Sequence, residues 1–174
     1  MKKLLTKLLA LVVVVSFAGL AHGQVNATAD VTADVVTALA ISNVSDVAFG
    51  NVEVGTTPVL EPQGTGHTDV GVTAAAGEFS VDGENGVGVT VDYTDATLSD
   101  GSNTLAFTTQ LSQSASGDQG ASADIASGGS ITLDADGYSL YVGGSLPDLT
   151  GATTGSYSTS NASGSPVTVT VTYQ

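Results

Sequence analysis

Few side chains in this sequence can do chemistry. It contains no cysteine and no arginine, and its three lysines, Lys2, Lys3 and Lys7, all lie at the extreme N-terminus. A thiol nucleophile, a thiolate metal site and a disulfide framework are therefore excluded. His67 could complete a Ser-His-Asp set, but no serine stands in a nucleophile elbow. It lies in a Gly- and Thr-rich stretch that reads as a solvated loop. Paired carboxylates of the glycosidase kind usually sit in aromatic-lined clefts, and tryptophan is absent. The expectation is a protein that is not an enzyme, with no catalytic residue and no cofactor.

One motif could hold a metal. In Asp134-Ala135-Asp136-Gly137 two alternate carboxylates can face one cation while the glycine permits a turn, so Asp134 and Asp136 are the candidate ligands. The remainder of a calcium loop is missing, with Ser145 standing where its last glutamate belongs. Asp-Gly is also common β-turn chemistry, and a turn is the preferred reading. Three Asn-x-Ser/Thr triplets, at Asn26, Asn43 and Asn161, carry little weight in a chain so rich in Ser and Thr.

Residues 1–23 read as a secretory signal peptide: three lysines, a 14-residue apolar stretch over 8–21 broken only by Ser16, and Ala21-His22-Gly23 as a cleavage site. The apolar stretch falls short of the ~20 residues that a bilayer-spanning helix needs. No later segment is apolar enough to span. Removing residues 1–23 takes away every lysine and moves the formal charge from −14 to −17. Such a surface repels nucleic acid and anionic membranes, and it has no cationic side chain for binding phosphate. The plain reading of the acidity is solubility; divalent-cation binding is the sharper one.

The elements that must position any site are strands. After Gln24, residues 25–35 alternate strictly, with Val25, Ala27, Ala29, Val31, Ala33 and Val35 on one face and Asn26, Thr28, Asp30, Thr32 and Asp34 on the other. A second apolar run covers 36–41. Strands are expected over 47–55 and 67–74, with 58–66 a loop because Pro58 and Pro62 interrupt ladder bonds. Two hairpins are expected: 79–81 with 87–93 around Asp82-Gly83-Glu84-Asn85-Gly86, and 94–98 with 104–111 around 99–103. Residues 112–129 read as a long mobile loop. Further short strands are expected at 131–133, 138–142 and 153–157, and the chain closes on the faultless alternation of 167–173. Many short strands with frequent turn signals, and no fixed-length repeat, argue an all-β antiparallel sandwich. The division is a signal peptide over 1–23, an N-terminal extension over 24–34 and a β-sandwich domain over 35–174.

Several of these stretches carry a family resemblance. They are 36–42 followed by Val47-Ala48-Phe49-Gly50, then Gly77-Glu78-Phe79-Ser80-Val81, Tyr141-Val142-Gly143-Gly144-Ser145-Leu146, Gly155-Ser156-Tyr157, and the closing 167–173 with Tyr173 next to last. In that order they resemble the bacterial secreted β-domains called domain of unknown function 4402. More distantly, the chain is similar to archaic chaperone–usher pilins and spore-coat-U-like subunits. It departs from the pattern in the long gap over 160–165 and in lacking cysteines. The resemblance implies an immunoglobulin-like or pilin-like sandwich that polymerises by donor-strand exchange.

The first functional expectation is a structural (fimbrial) subunit of an extracellular fibre or pilus on a bacterial surface. Val25, Ala27, Ala29, Val31 and Ala33 would be the donor strand. Val167, Val169, Val171 and Tyr173 would line the acceptor groove, and a periplasmic chaperone and an outer-membrane usher would serve a homo-polymer. The alternative is a self-contained secreted binding or matrix module that takes calcium through its acidic turns. In that case the arm pairs within its own sheet.

Overall fold

The structure, a computed structural model, describes residues 26–134 and 137–174; the signal-peptide reading and the roles given to Val25 and Asp136 fall outside those residues. The chain divides into two units, Met1–Val35 and Val36–Gln174. In the first, residues 26–35 belong to no strand or helix and every one is exposed. Val31 and Val35 are 92% and 96% exposed.

The second unit is all-β, as its alternation predicts. Its strands are β1 (Ala40–Ser45), β2 (Val59–Leu60), β3 (Gly77–Asp82), β4 (Gly88–Tyr93), β5 (Ala96–Ser99), β6 (Thr104–Ser114), β7 (Ala123–Ile125), β8 (Gly129–Thr132), β9 (Tyr138–Ser145) and β10 (Val169–Tyr173). One sheet runs β1-β3-β9-β6-β5, with β2 added to β9 and β7 to β6; the other runs β10-β4-β8. All pairings are antiparallel.

Between the sheets Val81 and Leu140 from the first meet Val89 and Val91 from the second, all four fully buried, with Leu111 and Val142 beside them. Each such side chain contributes about 1.5–3 kcal/mol by leaving water. A second cluster gathers Leu60, Ala96 and Leu146 around an edge-to-face pair, Phe49 on Phe107, with centroids 5.7 Å apart. Close approach fixes one glycine. A Cβ at Gly143 would stand 2.1 Å from the Leu60 carbonyl oxygen, so only glycine lets the 58–62 segment, with Pro58 and Pro62 fully buried, lie on β9.

Several sequence expectations are corrected. Residues 79–93 are not a hairpin: β3 pairs β1 and β9, while β4 pairs β10 and β8, so the chain crosses between sheets there. Val81 and Val89 reach one core from opposite layers, which a hairpin would prevent. The 94–111 hairpin forms as expected, with Ser99 opposite Thr104. Residues 47–55 and 67–74 make single bridges, Ala48 with Ala75 and Thr68 with Val59, and no strand. The first body strand starts at Ala40 and not at residue 36. Within the 58–66 loop, Val59 and Leu60 pair with β9. Residues 153–157 are not a strand.

The expected loop over 112–129 is largely built structure: the end of β6, a 3-10 turn at Gln119–Ala121, β7 and the start of β8. Hydroxyl and amide bonds hold it together with the β6–β7 ladder and the buried Ile125. Tyr141 donates its hydroxyl to the Gly117 carbonyl at 2.6 Å, Ser112 and Ser122 share a bond of 2.8 Å, and Gln119 donates to the Pro62 carbonyl at 2.8 Å. This strap keeps Ser112 and Ser114 buried yet satisfied.

Candidate functional site

The few chemical side chains take structural posts. His67 is half-buried, not a solvated loop residue, and its Nδ1 accepts the Glu61 amide at 3.0 Å, pinning the loop after β2. Gly137 donates its amide to the Asp134 carbonyl at 3.4 Å. Among the described residues no group of three or more His, Asp or Glu is placed to hold a metal ion. Asn161 spends its amide on the Ser99 and Ser156 carbonyls, at 2.6 and 3.1 Å.

What stands out is a difference between sheet edges. The β5 edge is covered: Ser158 bridges to Ser99 and Ser165 to Thr97, so the long 160–165 gap belongs to a segment laid along that strand. By contrast β1 pairs only with β3 and β10 only with β4 among the described residues. Every residue of β1 is exposed, Ile41 and Val44 included. Among the described residues the first sheet presents five strands side by side and the second only three.

A cleft of about 520 Å³ opens there. Phe79, Leu98 and Phe107 line it, with Asn43, Ser45 and Asp46 on the β1 side and residues 157–160 and Val167, just before β10, also bordering it. Within β10, Val169, Val171 and Tyr173 are half-buried against the core while Thr170 and Thr172 are exposed, matching the expected alternation. Of the four residues assigned to a groove from sequence, Val167 lines the cleft and the other three form the strand beside it. Sequence reasoning did not single out Ser45, Phe79, Leu98 or Phe107 as neighbours of Val167. In the sequence Phe79 stood out only within the Gly77–Val81 stretch and Phe107 only within the expected strand over 104–111.

The opposite end of the opening is tied shut. The Tyr173 hydroxyl accepts the Glu84 amide and donates to the Thr37 carbonyl, each at 2.7 Å. The Glu84 carboxylate accepts both the amide and the hydroxyl of Thr37. The hydroxyl bond first, and then the amide, hold the Glu84 carboxyl below its ordinary range. Gly83 makes room for this clasp, since a Cβ there would meet the Tyr173 oxygen at 2.6 Å. Ahead of β1 and at the end of β10, the two sheet edges are therefore joined; at Ser45 and Val167 they stand apart.

No curated protein matches the chain. Among the described residues, no helix is long and apolar enough to cross a membrane. The family model described as Domain of unknown function (DUF4402) matches residues 39–173, beginning after the exposed arm and ending at Tyr173, and the chain belongs to that family.

Proposed function

We propose that the chain is a structural subunit of an extracellular bacterial fibre or pilus, assembled by strand addition between copies. In this reading residues 24–34 of one copy are the donor. Ala27, Ala29, Val31 and Ala33, with Val25 ahead of them, enter the opening beside β10 of the next copy. A strand added there pairs the free N–H and C=O groups of the β10 edge and covers the bare face of β1. Asp30 and Asp34 fall on the arm's other face and stay in water. The observation that carries the reading is the three-stranded second sheet, which stops at β10 and leaves a cleft of mixed lining, with Phe79, Leu98 and Phe107 in it, beside an exposed β1.

Chain chemistry favours a neighbour's cleft over the arm's own. Folding the arm back beside β1 needs a tight reversal near residues 35–39, which are Val, Val, Thr, Ala and Leu. None of these is a Gly, Pro, Asn, Asp or Ser, the residues that favour chain reversals. Export through a signal peptide, a periplasmic chaperone over the cleft and an outer-membrane usher complete the proposal.

Size-exclusion chromatography with light scattering tests it, using protein with and without residues 24–34 and the Val31→Asp variant. Intact protein should form multimers. The truncated form should stay monomeric, melt at lower temperature and recover on addition of the arm peptide; Val31→Asp should also stay monomeric. Equally stable monomers in all three forms would turn the assignment to a self-contained binding or matrix module.

A further inference from the structure

The opening between β1 and β10 has one closed end. Among the described residues no hydrogen bond joins its rims at Ser45 and Val167, whereas Thr37, Glu84 and Tyr173 bridge them at the other end through four hydrogen bonds. An extended segment lying in the slot can be displaced along it in only one direction before it meets that bridge. We propose that the Thr37–Glu84–Tyr173 clasp is the stop that sets the register of an inserted arm. The proposal rests on the strand-exchange reading above and commits to one occupant, residues 26–34 of a second copy.

Lengths support that occupant. From Val167 to Tyr173 the acceptor edge offers seven residues, about 20–23 Å at ~3.3 Å per residue. The nine residues 26–34 reach about 30 Å when extended, so the arm is longer than the slot and needs something to choose which part of it is seated. Its own pattern cannot choose. Ala27, Ala29, Val31 and Ala33 differ little in size, so shifts of two residues keep the same face inward at small cost. A shift of one residue would turn Asp30 and Asp34 toward Phe79, Leu98 and Phe107 and is rejected on that ground. Alternation therefore fixes the face, and the clasp fixes the position.

The absence of native cysteine makes a direct test available. A subunit carrying Ser45→Cys is mixed, under oxidising conditions, with subunits carrying one arm cysteine each: Ala27→Cys, Ala29→Cys, Val31→Cys or Ala33→Cys. With the clasp intact, one arm position should give nearly all of the cross-linked dimer. The same series is repeated with the Ser45→Cys acceptor also carrying Glu84→Ala and Tyr173→Phe, which together remove all four bonds. Cross-linking should then spread to positions two residues away. A Glu84→Ala acceptor alone, which keeps the Tyr173 hydroxyl, provides a milder version should the double variant fold poorly, and circular dichroism establishes its fold.

An unchanged dominant position after the clasp is removed would overturn the stop, as would a spread already present with the clasp intact; in both cases strand exchange itself survives. No cross-link at any position would remove strand exchange and the stop together, so the two failures are distinguishable.

Discussion

Asp100 shows how much one carboxylate can organise in a chain without cationic partners beyond its N-terminus. In the β5–β6 turn it accepts the amides of Ser102 and Asn103 at 2.8 and 2.6 Å and the side-chain amide of Asn103 at 2.9 Å. The Asn103 backbone bond first, then the Asn103 side chain and the Ser102 amide, lower its pKa from an ordinary 3.8 to about 2. A group with a depressed folded pKa favours the folded state above its unfolded pKa and loses that contribution as pH falls through the folded one. The stability advantage of native protein over Asp100→Ala should thus be full at pH 5 and shrink between pH 4 and pH 2. Urea midpoints of both proteins across that range check it; a gap that does not change with pH would place the effect in the turn geometry instead.

At the scale of elements, edge protection is the property to measure. Asn161 fastens the 158–165 segment along β5, and loss of a typical hydrogen bond costs about 0.5–1.5 kcal/mol. Asn161→Ala should therefore raise amide exchange at Thr97 and Ser99, which donate to Ser165 and Ser158, while β4 amides stay protected. Equal exchange before and after the substitution would mean that the bridges hold the segment without Asn161. The sequence made strands legible where alternation met a partner, as in β4, the β5–β6 hairpin and β10. It failed over 47–55 because Val47 and Phe49 do turn toward apolar surroundings, yet no second strand lies alongside them. It failed over 79–93 because Asp82-Gly83-Glu84-Asn85-Gly86 reports a change of direction without saying whether the flanks pair. The strap over 112–129 was hidden because Ile125 is its one buried apolar anchor and hydroxyl bonds, which leave no hydropathy pattern, supply much of the rest. Of the candidate site, the arm's alternation and the β10 face were readable. The far rim and floor were not, because topology alone brings Ser45, Phe79 and Leu98 to Val167.

The whole molecule carries 17 acidic side chains against three lysines, all within residues 1–7. Copies that associate must do so against mutual repulsion, whose reach falls from about 30 Å at 0.01 M salt to about 8 Å at 0.15 M. Multimer growth followed by light scattering should accelerate across that range, and a rate that falls with added salt would reveal an attractive charge pattern instead. The crossing of the chain between sheets after β3 has a kinetic consequence as well. Because β4 does not fold onto its predecessor, it pairs only with the later strands β8 and β10, and contacts such as Thr94 with Thr168 and Glu84 with Tyr173 span 74 and 89 residues. Closing such long loops is slow relative to local pairing. A chain without residues 169–173 would thus leave β4 paired with β8 alone and its second sheet incomplete.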